Sequence, residues 1–599
     1  MSLSDDEILG KAYDGRLMRR LLAYLRPYGA PAGLALVAII AGSILALAPP
    51  YLMKIAIDRN IAAGELAGLN RIAVLFLLVI LGSFAFEYTQ TCLTQTIGQR
   101  IMFDMRMQIY EHLQRLDLRF YDRNPVGRLM TRVTTDVDVL NDLFTSGVIT
   151  VFGDVFLLAG IMITMLALNW ELALVTFAVL PLIVLVTHWF RKNVRDSYRT
   201  VRAWIARINA YLQEHIGGMS TVQLFRREAR DYARFDEVNR AHRDANISSI
   251  MYYAVFYPAV EIIGALATSL IIWYGGGRVI QHLLTLGSLV AFLQYSQRFY
   301  RPISDISEKF NLLQAAMASS ERIFTLLDTP VVIESPAAPT PAVGRGAHIA
   351  FDHVWFAYNG EDHVLRDLSF EVTPGERVAI VGATGAGKST IVNLLLRFYD
   401  VTRGRILVNG VDIREMDLDD LRRLFSLVLQ DVQLFSGTVA GNIRLGNAAI
   451  TDDQVRQAAE AVHAGSFVDR LPQRFDTAVA ERGATLSVGQ KQLLSFARAL
   501  AFDPQILVLD EATSSVDTET ELLIRDALQV LMADRTTLAI AHRLSTIQDM
   551  DKILVLHKGE LREAGSHQQL LAKRGIYYRL YQLQYKDQEA RAAVRGQTG

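Results

Sequence analysis

Three short stretches carry residue types whose spacing implies a definite chemistry. GATGAGKS, Gly382 to Ser389, fits G-x-x-x-x-G-K-[ST], with Ala383, Thr384, Gly385, Ala386 and Gly387 forming the turn and Thr390 following it. The strand-like RVAIV precedes it and the helix-like STIVNLLLRF follows. In that context glycine-rich backbone amides curl around phosphate oxygens at the positive end of a helix. Lys388 then reaches the β- and γ-phosphates of ATP, and Ser389 ligands Mg²⁺. In ILVLDEA, Asp510 ends an apolar run where it can hold the metal-water shell, and Glu511 is placed to polarise an attacking water. An acidic pair capping the next helix is the alternative, and the phosphate loop weighs against it. His542 in IAHRLS follows the strand-like TTLAI, where it reads as a γ-phosphate sensor rather than a satisfied surface or core histidine.

These residues need a scaffold of strands and helices. HIAFDHVWFAY, RVAIVG, RILVNG, FSLVLQ and ILVLDEA are short strand-like runs. With helical segments between them they predict an α/β nucleotide-binding unit over 348–582, followed by a frayed tail at 583–599. Before it, TPVVIESPAAPTPAVGRGA (329–347) has four prolines and little periodicity, which predicts a linker.

The N-terminal part, 1–328, has a different texture. Long apolar stretches lie near 31–54, 71–92, 144–168, 169–190, 251–274 and 281–299, each about long enough to cross hydrocarbon as a helix. The last carries Gln294, Gln297 and Arg298 and is the weakest. Seven arginines fall in 93–143 and eleven in 191–250, whereas the short connections between are nearly free of Lys and Arg apart from Arg59 and Arg278. The positive-inside rule then places both termini and both long loops in the cytoplasm, with six spans. The long loops read as mostly helical, so the spanning helices are expected to continue beyond the bilayer.

The formal charge of −1 gives no electrostatic reason to expect nucleic acid. The single cysteine, Cys92, excludes an intrachain disulfide and reads as a small buried hydrophobe. The acidic-then-basic N-terminus does not read as a signal peptide.

The ordered set GATGAGKS, VLQD, LSVGQ, ILVLDE, SSVD and AHRLSTI, with ERG at 481–483, resembles the ATP-binding cassette exporter half-transporters over 16–580. The resemblance implies a multidomain membrane protein. A six-helix transmembrane domain precedes an α/β P-loop nucleotide-binding domain, in a bacterial cytoplasmic membrane. It implies that two cassettes pack head to tail, so that Ser487, Gly489 and Gln490 of LSVGQ touch ATP held by the partner's phosphate loop. Val488 stands where the family has glycine, which would matter if that position required a positive φ. The family pattern assigns the contacts to Ser487 and Gly489, so the signature reads as functional. Tyr358 matches the aromatic that stacks on adenine. Gln430 matches the glutamine near metal and attacking water, and Asp517 the loop between sites. Glu481 matches a loop facing the membrane helices, although Ala480 replaces the usual preceding glycine. Residues 120–138 and 221–235 resemble the two intracellular loops.

The implied activity is ATP hydrolysis coupled to export of an amphipathic substrate (drug, lipid or peptide) by alternating access. Uptake on an exporter fold, or an ATP-gated channel or regulator, is the alternative. Glu87, Asp154 and Glu261 lie in or near spans and either line a cavity for cationic amphiphiles or serve interhelical hydrogen bonds. Membrane lipids and a second half-transporter are the expected partners. EILGKAYDGRLMRRLLAYLRPY and FYDRNPVGRLMTRVTTDVD resemble subunits of bacterial heterodimeric multidrug exporters, which favours a heterodimer over a homodimer.

Overall fold

The computed structural model describes residues 14–341, 347–510, 518–541 and 547–583. The chain gathers into two compact units. One holds the residues up to Gln114 and Val126–Thr329; the other holds Arg115–Pro125 and the chain from Pro330 onward.

The first unit is helical. Among the described residues, five helical stretches are long and apolar enough to span a membrane: Arg26–Ile61, Leu66–Arg115, Val151–Leu168, Trp170–Gly217 and Glu228–Ile280. The apolar stretch at 281–299 becomes a turn followed by the helix Leu286–Leu327, which Thr285 caps by accepting from the Ser288 N–H. Only 6% of the most apolar window of Leu66–Arg115 is buried. A water-facing helix would not leave such a surface uncovered, so this one faces lipid or other protein. The helix is 50 residues long, and about 20 suffice to cross hydrocarbon, so it runs well past the bilayer. The same outward apolar face corrects the expectation for Cys92, which is exposed on this helix. In a membrane unit, apolar character marks the lipid face as well as the core.

Polar contacts inside this unit join elements far apart in sequence. Asp14 caps the amphipathic helix Gly15–Ala23. From that helix Arg20 makes a two-pronged pair with Asp328, at 2.7 and 2.9 Å, and lies over the Phe324 ring. Asp58 accepts from the Thr285 hydroxyl (2.6 Å) and the Gly287 N–H (2.8 Å). A Cβ on Gly287 would lie 2.5 Å from the Lys54 carbonyl, so glycine permits this approach. Arg278, one of the two exceptions to the charge asymmetry, pairs with Glu171. Buried Asp136 accepts from Ser319 and Arg322 of the last helix. The helix Gly29–Ile55 contains Pro49 and Pro50. These lack the N–H groups that would reach the carbonyls of Leu45 and Ala46.

The second unit is α/β. Its main sheet has the order Glu560–Gly565, Lys552–His557, Arg377–Gly382, Thr536–Ile540, Ile506–Asp510, Phe425–Val428. All neighbours pair in parallel except the first two. Ile506 and Val508 enter one core with Val378, Ile380, Leu538 and Ile540. Leu507 and Leu509 enter the other with Ala379, Val381 and Ala539. Alternate side chains point to opposite faces, and both faces are covered, which is why ILVL is apolar throughout. Each such side chain contributes roughly 1.5–3 kcal/mol on full burial. A four-stranded antiparallel sheet, His363–Val372, Ile349–Ala357, Arg403–Val408 and Val411–Asp412, completes the unit. The lead-in segment is laced to it: Thr340 N–H donates to the Glu415 carbonyl, and Ser335 accepts from the Leu418 N–H.

Candidate functional site

Parallel pairing brings the motifs to one edge. Ile540 aligns with Ile380 on one side and with Asp510 on the other. The strand ends at Gly382, Asp510 and Val428 therefore share the carboxyl edge of the sheet, where ligands bind in open α/β folds. Gln430 lies two residues past its strand and is exposed. Glu511, Asp517 and His542 lie outside the described residues.

The phosphate loop joins Arg377–Gly382 to the helix Lys388–Leu395. Gly385 has φ +79° and Gly387 φ +100°, backbone that favours glycine. A Cβ at Gly382 would sit 2.5 Å from the Leu556 carbonyl. Ala383, Thr384, Gly385 and Ser389 are exposed, whereas Ala386, Lys388 and Thr390 are buried. The Lys388 ammonium donates to the carbonyls of Gly382 (2.8 Å) and Ala383 (3.2 Å), folded across its own loop. Burial pushes its pKa below the ordinary lysine value, and the nearby Asp510 carboxylate opposes that shift. A bound phosphate offers this cation better acceptors than two carbonyls.

Ser389, Asp510 and Gln430 offer hydroxyl, carboxylate and amide oxygens, the donor chemistry of a hard divalent cation. Among the described residues no group of three or more His, Cys, Asp or Glu could hold a metal. An Mg²⁺ here would take much of its coordination from nucleotide phosphates and water, as such sites do.

Tyr358 stands at the far side of the loop, half-buried. Its hydroxyl donates to Thr390 Oγ1 at 3.2 Å, and Asn393 approaches the same oxygen at 3.5 Å. Phe356 and Tyr399 meet its ring edge-on, with centroids at 4.8 and 5.1 Å. Residues Arg115–Pro125 belong to this unit. Their short helix Leu118–Arg123, capped by Asp117, reaches the same place. Arg119 donates to the Tyr358 carbonyl (3.3 Å), Arg123 to Asn359 Oδ1 (2.8 Å), and the Tyr399 hydroxyl to Asp122.

The signature serine opens the helix Val488–Ala501. Ser487 Oγ accepts from the Gln490 N–H (3.2 Å), and the Gln490 side chain accepts from the Ser487 N–H (3.0 Å), a reciprocal cap. Gly489 is buried within the first turn. Val488 is the first residue of this helix and is exposed, so its position asks for no positive φ. This removes the backbone objection to valine.

Two further side chains hold the Gln430 loop. Asn442, buried, accepts from the Phe435 N–H and donates to the carbonyls of Phe435 and Thr438. Arg498, from the signature helix, donates to the carbonyls of Asn442 (2.9 Å) and Gln433 (3.1 Å). Burial pushes Arg498 below the ordinary arginine value. No local motif marks either residue, because their partners are carbonyls brought near by folding. Of the intramembrane acids, Glu87 and Glu261 are exposed on this single chain and Asp154 is half-buried.

Residues 32–303 match the family model described as ABC transporter transmembrane region, and residues 365–514 the model described as ABC transporter. An uncharacterized ABC transporter ATP-binding protein, YknV, of Bacillus subtilis is 39% identical over 97% of each chain. The ATP-dependent lipid A-core flippase of Syntrophus aciditrophicus is 36% identical over 95% of each. The solved structure of a bacterial Atm1-family ABC exporter with ATP bound aligns with TM-score 0.76 and 31% identity, covering 95% of this chain and 99% of that one.

Proposed function

The chain belongs to the ABC transporter family, and on that premise we propose how its own residues perform ATP-driven transport. It is a multi-pass membrane protein of the exporter type, with a cytoplasmic ATPase unit, and such exporters act as dimers. The observation that carries the proposal is the meeting of the phosphate loop, Asp510 and the Gln430 loop at one sheet edge.

In this reading Lys388 exchanges its loop carbonyls for β- and γ-phosphate oxygens. Tyr358 stacks on adenine, and the backbone of 383–389 cradles the phosphates. Ser389, Asp510 and Gln430 would hold Mg²⁺, which would supply positive charge against that of the phosphates. Glu511 orients and polarises the attacking water, with Gln430 and His542 beside the γ-phosphate. Ser487, Gly489 and Gln490 close over ATP on the partner cassette, and Asp517 links the two sites. Closure favours one orientation of the membrane helices, and product release restores the other.

The transported substrate in this proposal is amphipathic. One relative over nearly the full length is named a lipid A-core flippase, and this chain's spanning helices expose apolar surface interrupted by Glu87 and Glu261. Reconstitution in vesicles with the ATPase side outside tests the direction. ATP-dependent uptake of a lipid-like or drug-like amphiphile into the lumen is expected, and loss of luminal substrate on ATP addition would reverse the reading.

For assembly we propose a heterodimer, with this chain supplying the phosphate loop and Glu511 of one site. Its support is the likeness of 7–28 and 120–138 to heterodimer subunits. Expression of this chain alone, with mass in detergent and hydrolysis in lipid, decides it. A stable dimer with transport-coupled turnover would establish the homodimer.

A further inference from the structure

The cluster around Tyr358 has more contacts than an adenine platform needs. Tyr399 sits edge-on to Tyr358 at 5.1 Å and 88° and touches Phe356 at 5.7 Å. Its ring packs against Tyr358, while its hydroxyl donates to Asp122, on the helix Leu118–Arg123. Burial, with the hydrogen bond and charge of Asp122, pushes the Tyr399 hydroxyl well above the ordinary phenol range. It stays a protonated donor at any working pH. Asp122 thus holds one end of the aromatic pair, and Arg119 and Arg123 hold the backbone and neighbour of the other through Tyr358 O and Asn359 Oδ1.

We propose that Tyr399 and Asp122 are positioning residues for the adenine seat, with Asp122 holding Tyr399 and Tyr399 holding the Tyr358 ring. The inference rests on the reading of Tyr358 as the adenine platform. A base stacking on Tyr358 presses on a ring that is braced from the side by Tyr399. Tyr399 is in turn held at its hydroxyl by Asp122, a directional, charge-assisted contact.

The test uses the full-length transporter in lipid nanodiscs, with KM and kcat measured for ATP and for ribose 5-triphosphate, which carries the phosphates without a base. Tyr358→Ala is expected to raise KM for ATP about tenfold, the scale of one lost base stack, with the baseless nucleotide unchanged. Tyr399→Phe and Asp122→Ala are expected to raise KM for ATP about fivefold, the scale of one lost hydrogen bond, again sparing the baseless nucleotide. Asp122→Asn retains an acceptor oxygen and is expected to behave as the parent. If Tyr358→Ala raises KM for ATP while Tyr399→Phe and Asp122→Ala do not, the positioning role is overturned and the platform stands. Equal effects on both nucleotides would also overturn it, as they denote general disruption. An unchanged KM in Tyr358→Ala removes the platform itself, and the inference with it.

Discussion

The Arg298 guanidinium donates to the carbonyl of Ala46 at 2.6 Å, the acceptor that Pro50 leaves without its helical N–H. Three residues earlier, the Tyr295 hydroxyl donates to the Leu47 carbonyl, also at 2.6 Å. Arg298 of the last helix thus supplies the donor that Pro50 removes, and Tyr295 adds a second tie to the same stretch. This accounts for an arginine in an apolar stretch, where a charged side chain is costly unless it meets a polar group.

The pair predicts a double-mutant cycle. Arg298→Ala orphans the Ala46 carbonyl and should destabilise the protein by about 1–3 kcal/mol. Pro50→Ala restores the backbone donor, so in its presence Arg298→Ala should cost measurably less. Thermal unfolding of the four proteins in the same lipid checks this. Equal costs in both backgrounds would mean that the carbonyl finds another donor.

Glu511→Gln should keep ATP binding and slow hydrolysis by at least about 100-fold, because the amide can hydrogen-bond but cannot serve as a base. Lys388→Ala should weaken nucleotide binding itself, since it removes the buried cation at the phosphate loop. Nucleotide occupancy and steady-state turnover, measured together, separate the two. Near-parental turnover in the Glu511 variant would take that residue out of the catalytic role.

Val488 is exposed at the first turn of its helix. Val488→Gly should therefore leave hydrolysis within about threefold, the loss of a little helix propensity being the main effect. Ser487→Arg removes the cap and projects a long cation where the partner's ATP is to dock, so turnover should fall to background. A large gain of activity in Val488→Gly would show that the valine side chain hinders closure.

Acid sensitivity should include a term from Asp551. Its pKa is lowered chiefly by the side-chain hydrogen bond from Arg377, whose backbone N–H also donates to it, against an opposing effect of burial. A depressed carboxylate contributes stability at pH values above its unfolded pKa of about 3.9 and loses it as pH falls through the folded value. The pair is partly exposed, so the contribution is expected to be at most about 1 kcal/mol. Asp551→Asn should lower stability most at neutral pH, and the gap from the parent should close below about pH 4. A gap that persists unchanged in acid would assign the effect to packing.

Much of this protein is written locally. Ile506–Asp510 reads as a strand covered on both sides because four apolar residues in succession suit a parallel strand between two cores, and the two cores are present. The phosphate loop is legible because its glycines are needed by its own backbone, Gly385 and Gly387 having positive φ. The long membrane helices follow from apolar length and the placement of arginines. Other features have no local signal. Tyr399 and Asp122 stand 277 residues apart, and nothing about RFYD or FYDR says that they meet. Arg298 reads from sequence as a flaw in a span, and its carbonyl partner is 252 residues away. Asn442 and Arg498 look like ordinary helix residues until the fold sets the Gln430 loop beside them. The division follows from the range of the forces: backbone preference and hydrophobic period act within a few residues, so sequence alone determines elements and motif chemistry. Which acceptor a phenol or guanidinium finds depends on surfaces assembled from distant segments, and only tertiary packing decides that.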